Sequence, residues 1–418
     1  MAAPPPSSPT YPSTTSPRPL ISTSGSTSNY PEPSTPTLRT LRIGTRSSDL
    51  ALAQVTLFTD LLSISHPTLS TATHPTSTSL GDINKITNLH TLASTGKSLW
   101  TEDLEKELLE GSVDVIIHSL KDVPTKLPAG CVCAAVGARD EARDAVVMSQ
   151  ARKAEGWRTL GDLKEGGIVG TSSVRRAAMV RRTYPHLVIK NVRGNIGTRL
   201  RKLDDPSEGF DALILAGAGV QRLSMGERIS SWLGSEEGVL HAVGQGAVGV
   251  EWREGDEWVG SILAEAGKTL RKAGRRVRWE CAGERSLLRV LEGGCSVPVG
   301  VECVWKEGSL LQGDGTGKDA VVEPSDQHTS GYEQDDALPE GRDTEREKYG
   351  GILIMRAMVV SVDGKECVEG TRRHYVSSDA EAEECGWRVA GELVDRGAGE
   401  ILKEITLNRP MIRGQDGA

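Results

Sequence analysis

The chain has 418 residues, enough for two or three domains, with 57 acidic against 49 basic side chains and a net charge of −8. That balance argues against a general nucleic-acid or membrane-surface binder. No apolar run approaches the ~18 residues of a membrane span and no charged-then-apolar signal opens the chain, while seven scattered cysteines make no disulfide framework, so a reducing, cytoplasmic setting is expected.

Residues 1–38 are almost entirely Ser, Thr, Pro and small residues, with Glu32 as the single acid. Such a segment cannot bury enough apolar surface to offset its ordering entropy, so disorder is expected; the alternative, organelle targeting, has scarce acid in its favour and scarce arginine against it. Leu41–Thr45 reads as a strand, and Leu50, Leu52, Ala53, Leu57, Leu61 and Leu62 repeat at helical spacing. Ser63–Asn84 reads as a Ser/Thr-rich connection, Ile86–Leu92 as a strand, Leu99–Glu110 as a helix and Val113–His118 as a buried strand. Further apolar runs at Ile168-Val169, Leu187–Ile189 and Ala212–Ala216 alternate with helices, which predicts an α/β fold with a mainly parallel sheet. Cys131-Val-Cys133 lacks the spacing and the second pair of a zinc site, reads as alternation along a strand, and leaves no metal expected.

The polar run Ala138–Asp144 and the glycine-rich Ala242–Val250 are the two expected chain crossings. They divide the α/β part into a discontinuous domain 1 (39–140 plus 243–270) and a domain 2 (141–242). From 273 to 418 the pattern is helix, strands (Val297–Trp305, Ile352–Val362, Cys367–Val376) and helix Ser378–Asp395, an α+β domain with an antiparallel sheet. Residues 306–349, Gly/Asp/Glu-rich and poor in apolar residues, read as a disordered insertion between strands, tolerable because loop-closure entropy grows slowly with length.

Chemistry concentrates at five places. Between 175 and 202 there are nine Lys or Arg and no Asp or Glu, against the acidic total. Gly170-Thr-Ser-Ser follows a strand and opens a helix, an anion seat backed by Arg175 and Arg176; Arg193-Gly-Asn-Ile-Gly-Thr-Arg199 repeats the arrangement. A solvated basic helix face is the plainer alternative, but two such loops fit a polyanionic ligand better. His118-Ser-Leu-Lys-Asp-Val-Pro124 carries a buried strand into a turn, projecting Lys121 and Asp122 as either a simple ion pair or a carboxylate poised beside a cationic nitrogen with a lysine for an anionic substituent. Arg46 and Ser48 open the first helix as a further anion seat, and Ser94–Trp100 with Lys97 is either a mobile lid or an ordinary surface loop. Glu292-Gly-Gly-Cys295 ends a helical pattern in paired glycines; Cys295 is a buried small hydrophobe or an accessible thiol suited to covalent attachment.

Six motifs in this order resemble the porphobilinogen deaminase (hydroxymethylbilane synthase) family: Arg46-Ser-Ser-Asp-Leu-Ala, His118-Ser-Leu-Lys-Asp-Val-Pro, Gly170-Thr-Ser-Ser-Val-Arg-Arg, Arg193-Gly-Asn-Ile-Gly-Thr-Arg-Leu, Ala242-Val-Gly-Gln-Gly-Ala and Leu291-Glu-Gly-Gly-Cys-Ser-Val-Pro. The resemblance implies two periplasmic-binding-protein-like α/β domains with two crossings and a small α+β domain. It implies a transferase that condenses four porphobilinogen molecules head to tail, releasing ammonia each time, on a dipyrromethane cofactor in thioether linkage to Cys295, and then releases linear hydroxymethylbilane for tetrapyrrole and heme synthesis. By the same matching Asp122 is the catalytic carboxylate. Arg46, Ser48 and Gln54 bind the incoming substrate; Lys121, Ser172, Ser173, Arg175, Arg176, Arg193 and Arg199 hold the carboxylates of the cofactor and growing chain; Lys97 and Trp100 belong to the lid. The porphyrin-pathway enzyme so implied is expected to be a cytoplasmic monomer with no nucleic-acid or membrane partner. Glu102 and Asp103 beside the lid, and Asp49 where proline is frequent, depart from the family pattern. A non-catalytic two-lobed anion-binding protein or a nucleic-acid binder built on 175–202 are the competing classes; the first needs neither Cys295 nor Asp122, and the second lacks aromatic residues among the arginines.

Overall fold

The structure is a computed structural model, and it describes residues 39–76, 101–291, 297–306 and 349–407. Lys97, Trp100, Cys295, the expected strand Ile86–Leu92, the 1–38 tail and nearly all of the 306–349 insertion lie outside those residues.

A first sheet is built from β1 (Leu41–Arg46), β2 (Thr71–Thr76), β3 (Val115–Ser119), β4 (Cys131–Ala135) and β10 (Val248–Arg253), in the order β2-β1-β3-β10-β4. A second holds β5 (Asp144–Met148), β6 (Ile168–Gly170), β7 (Val188–Lys190), β8 (Ala212–Ala216) and β9 (Ser231–Leu233), in the order β7-β6-β8-β5-β9. A third, antiparallel throughout, is β11 (Val299–Lys306), β12 (Gly351–Val360) and β13 (Cys367–Val376). The α/β expectation with a small α+β domain is borne out, but the sheets are mixed, not mainly parallel. β1 is parallel to β2 and β3, and β6 to β7 and β8, whereas β10 and β5 run antiparallel to both their neighbours. Those two are the strands the chain enters on arriving from the other sheet, so no local βαβ crossover fixes their direction. An apolar run reports burial on both faces and says nothing of direction.

The helix α1 (Asp49–Ser65) starts at Ser48, whose hydroxyl accepts from the Ala51 amide, and carries Asp49 in its first turn, favourable against the helix dipole. It buries Ala51, Gln54, Val55, Phe58, Leu61 and Leu62 against Leu41, Ile43, Val115 and Ile117. Leu52 and Leu57, expected on the buried stripe, are 37% and 44% exposed. The stripe is shifted because a polar residue, Gln54, occupies a buried position for a partner on β3. Within the expected connection Ser63–Asn84 the structure places the end of α1 and all of β2. Its β-branched threonines suit an edge strand, and Pro75 is tolerated there. The second helix, α2 (Glu102–Leu109), is shorter than expected, and Glu102 and Asp103 are exposed in its acidic first turn.

The second sheet is flanked by α3 (Gln150–Ala154), α4 (Val174–Thr183), α5 (Ile196–Asp204) and α6 (Gly217–Arg222). After β10 come α7 (Glu257–Thr269) and α8 (Arg271–Val290), and after β13 come α9 (Asp379–Asp395) and α10 (Ala398–Leu407), the last unforeseen in sequence. The third core joins Trp279, Leu287 and Leu291 to Val301, Met355, Val389 and Leu393. Here α8 and α9 touch backbone to backbone. A Cβ at Gly386 would lie 1.9 Å from the Gly283 carbonyl oxygen, so only glycine permits the crossing.

Ala138–Asp144 is not a solvated break. Arg139 grips Glu284 of α8 with Nη1 and Nη2 at 2.7 and 3.0 Å, reaches Glu280 at 3.0 Å, and donates from Nε to the Gln245 carbonyl. Glu284 also accepts from the Gly244 amide at 2.7 Å. Burial opposes its ionisation, but Arg139 and His241 outweigh that and hold its carboxyl below the usual range. Arg222 binds Asp140 and the Gly246 carbonyl, each at 2.7 Å. Gly246 has φ +86°, and a Cβ there would sit 2.4 Å from the Asp140 oxygen. Both crossings and the helix leading toward Cys295 are thus bolted together by buried charge-assisted bonds.

Candidate active site

The carboxyl ends of β1 and β3 and the start of α1 enclose a pocket lined by Arg46, Ser48, Leu50, Ala51, Gln54, Thr101, Ile117, His118, Ser119 and Asp122. Gln54 is buried and donates from Nε2 to Ser119 Oγ at 2.8 Å, which ties α1 to the end of β3. Beyond Ser119 the chain makes a single 3-10 turn, Leu120–Asp122. Buried Leu120 anchors that turn, and its amide bonds the Ala247 carbonyl. Lys121 is left half-buried and Asp122 exposed. Three of the expected substrate residues, Arg46, Ser48 and Gln54, therefore share one pocket with Asp122. Ser48 also serves as helix cap, with its hydroxyl proton still available to a ligand.

The cationic residues converge from the second sheet. Ser173 caps α4 by accepting from the Arg176 amide, Thr171 accepts from the Ser173 amide, and Ser172 lies half-buried between them. Arg175 and Arg176, expected behind this seat, turn inward and are 5% and 6% exposed. Arg175 Nη2 lies 2.8 Å from Asp144 Oδ2, and Arg176 Nη2 lies 2.7 Å from Oδ1. Arg175 also bonds the Leu240 carbonyl and Arg176 the Ile214 carbonyl. Gln245 closes the cluster. Its Nε2 donates to Asp144 Oδ1 at 2.8 Å and to the Ala142 carbonyl at 2.7 Å, while its Oε1 accepts from Arg176 at 3.4 Å and Lys121 at 3.5 Å. In α5, Arg199 folds back on the Gly194 carbonyl at 2.7 Å, and Asn195 caps the helix through Thr198.

The electrostatics show which groups feel one another. Burial pushes Lys121 down to about 8, opposed by Asp122 and Asp144 and reinforced by Arg176 and Arg175. Burial likewise lowers Arg199 to about 10, with Arg176 and Arg193 adding repulsion and Asp122 opposing; burial alone lowers Arg193. Asp144 is buried, yet the two guanidinium groups hold its carboxyl far below the carboxylate range. Among the described residues, five cationic side chains, Lys121, Arg175, Arg176, Arg193 and Arg199, thus gather with two carboxylates, Asp122 and Asp144. The excess positive charge is what a polycarboxylate ligand requires.

Sequence reasoning missed Asp144, Gln245 and the Arg139–Glu284 clasp. Their partners lie from 32 to 145 residues away for the bonds to Arg176 and Glu284, so no local pattern marks them; only the glycines flanking Gln245 were a signal. It also overestimated the basic run. Arg181, Arg182 and Arg201 are exposed, and Lys190 and Lys202 approach Glu208 at 3.9 and 4.0 Å, so the solvated-face reading holds for these five. Among the described residues no His/Cys/Asp/Glu group could hold a metal ion.

Two α/β domains whose strand ends join a buried cationic cluster to a pocket with one exposed carboxylate define an enzyme-like cleft for an anionic ligand. Family models match: "Porphobilinogen deaminase, dipyromethane cofactor binding domain" over residues 41–261, and "Porphobilinogen deaminase, C-terminal domain" over residues 279–317. Curated porphobilinogen deaminases from Neurospora crassa (41% identity; 88% of this chain and 95% of that one), Yarrowia lipolytica (40%; 87% and 93%) and Saccharomyces cerevisiae (36%; 88% and 98%) are similar over nearly their whole length. A solved probable amino-acid ABC transporter extracellular-binding protein from Bacillus subtilis is similar at 14% identity and TM-score 0.36, over 57% of this chain and 96% of that one, too loosely to bear on activity. The chain belongs to the porphobilinogen deaminase family.

Asp144 is a direct test of the cluster. Asp144→Asn leaves two buried guanidinium groups without their counter-charge, and denaturant unfolding should show a loss of about 3–5 kcal/mol, the cost typical of breaking one side of a buried ion pair. A loss under about 1 kcal/mol would mean the arginines are compensated elsewhere.

Proposed function

We propose that this transferase condenses porphobilinogen in the pocket of Arg46, Ser48, Gln54 and Asp122, with the growing chain lying along Lys121, Ser172, Ser173, Arg175, Arg176, Arg193 and Arg199. The observation that carries this reading is the convergence, from two sheets, of an excess of cationic groups on one exposed carboxylate. Each pyrrole of the substrate bears an acetate and a propionate, so every added unit brings two carboxylates to that excess. The same charge fits a dipyrromethane cofactor tethered at Cys295, which supplies the pyrrole carbon on which the chain is built. Loss of ammonia from porphobilinogen leaves positive charge on its pyrrole nitrogen, and Asp122 stabilises that charge. Gln54 and Ser48 orient the arriving ring, and Lys121 holds one of its carboxylates.

The protein acts as a monomer in the cytoplasm. The six described cysteines are free thiols, as a reducing compartment keeps them, and no described helix is long and apolar enough to cross a membrane. A nucleic-acid partner is disfavoured because Arg175 and Arg176 are turned inward onto Asp144. We further propose the domain division 39–140 plus 243–270, 141–242 and 273–418, and a lid role for Lys97 and Trp100.

The decisive variant is Asp122→Asn. It should retain its covalent cofactor by intact mass while turnover falls by about 100-fold or more, the usual cost of losing a placed electrostatic stabiliser. Turnover within a few-fold of wild type removes Asp122 from the chemistry. Lys121 gives a pH signature: its ammonium is charged below about 8 and neutral above. The KM for porphobilinogen should therefore rise as pH passes upward through 8, and Lys121→Arg should flatten that rise. A KM that climbs identically in both proteins assigns the effect to another group.

A further inference from the structure

His118 lies on the floor of the same pocket, four residues before Asp122, and its partner is Glu251 of β10. The His118 Nε2 to Glu251 Oε2 distance is 3.0 Å, and the two side chains are 5% and 0% exposed. β3 and β10 are antiparallel neighbours with Gly249 opposite His118 and Glu251 opposite Ile116, so both side chains stand on the sheet face covered by α2. Glu251 Oε2 pairs with His118 Nε2, and the Cys131 thiol lies against the same carboxylate. Structural economy gives no reason for a carboxylate at this depth, since an apolar pair would pack as well or better. With Nε2 committed to the carboxylate, Nδ1 is the nitrogen left for the pocket. A carboxylate that fixes one ring nitrogen and so prepares the other is the orienting half of an acid–base dyad.

We propose that His118, oriented by Glu251, accepts the proton shed by the attacked pyrrole carbon during condensation. This rests on the assignment of the pocket as the condensation site. The balance is simple. The C–N bond of porphobilinogen breaks and its electron pair leaves with ammonia. A C–C bond forms with a pair from the pyrrole ring of the growing chain, and that pair is accepted by the electron-poor unit. The ring C–H bond then breaks, its electrons restore the aromatic ring, and the proton goes to Nδ1. Ammonia takes up a proton on leaving, so each cycle releases ammonium and His118 returns its proton to the exiting base or to water. Asp122 stabilises charge on nitrogen, and His118 handles the proton on carbon, so two groups divide work that one would otherwise perform alone.

The groups around the dyad are Cys131 and Cys133 on β4, Glu105 on α2, and Thr101, Arg46 and Asp122 in the shared pocket. Burial pushes the Glu105 carboxyl up, opposed by Thr101, and burial also pushes Cys131 up to about 11 and Cys133 up to about 12. The thiols are therefore neutral at working pH and do not compete for the proton.

The test uses the full-length, cofactor-loaded enzyme. His118→Asn should lower kcat by about 100-fold or more, and His118→Ala should regain activity with added imidazole. Glu251→Gln keeps the shape but removes the charge that favours protonated imidazole. The acid limb of its kcat profile, and the NMR titration midpoint of the His118 ring measured without substrate, should both move to lower pH by about one unit or more. His118→Asn with wild-type kcat overturns the proposal. So does a Glu251→Gln protein that loses stability while both pH readouts stay in place, because that is a packing role. Asp122→Asn run alongside separates the two readings: if it collapses while His118→Asn does not, only the dyad is wrong, and if neither is impaired, the pocket assignment fails.

Discussion

The cleft depends on Asp144, a single buried carboxylate that holds two arginines from one helix turn. Placed without it, Arg175 and Arg176 would each have to desolvate a permanent charge beside its twin, at a cost of several kcal/mol per ion. With Asp144 present, two cations share one anion and the site keeps positive character. That incomplete neutralisation leaves the cluster positive while each buried guanidinium keeps a counter-charge. Gln245 extends the arrangement across the domain boundary, because its amide touches Asp144 and Arg176 on one side and Lys121 on the other. The cation bank and the strand-end turn that carries Asp122 are thereby fixed relative to each other.

A second layer of buried charge sets where the third domain stands. Arg139 from one crossing and the Gly244 amide from the other both bind Glu284, in the middle of α8. That helix runs on to Leu291, next to the Glu292-Gly-Gly-Cys295 motif. The placement of α8 thus follows from the same segments that carry the chain between the first two sheets, and Gly246 must be glycine for those segments to lie this close. Fold and site share their determinants here, which is why the crossings carry charges that a plain linker would not need.

The fold class and the main elements were legible because they rest on local periodicity: Val113–His118 against the observed β3, or the helix expected at Ser378–Asp395 against α9. Strand direction was not legible at β10, since burial on both faces makes it look like the parallel strands of its sheet, and β5 was not read as a strand because its first residue, Asp144, ends the polar run Ala138–Asp144. The edge strand β2 was hidden because Thr71–Thr76 has composition but almost no burial. In the site, the turn carrying Lys121 and Asp122 and the cap at Ser173 could be read from residue order, since a strand followed by a capped helix leaves little choice. What Arg175 and Arg176 do could not be read, because their partner Asp144 lies in a run that looked solvent-facing, and Gln245 joins them only in three dimensions. His118 sat in plain sight within a recognised motif, but its role depends on Glu251, 133 residues further on.

A cleft that builds a polycarboxylate chain on a group tethered to Cys295 carries that group on the purified protein. Intact-mass measurement of the full-length protein should show a covalent addition of two pyrrole units on the wild-type chain, localised to the peptide containing Cys295 and absent from Cys295→Ser. A fully folded, active wild-type protein at its unmodified mass would contradict it.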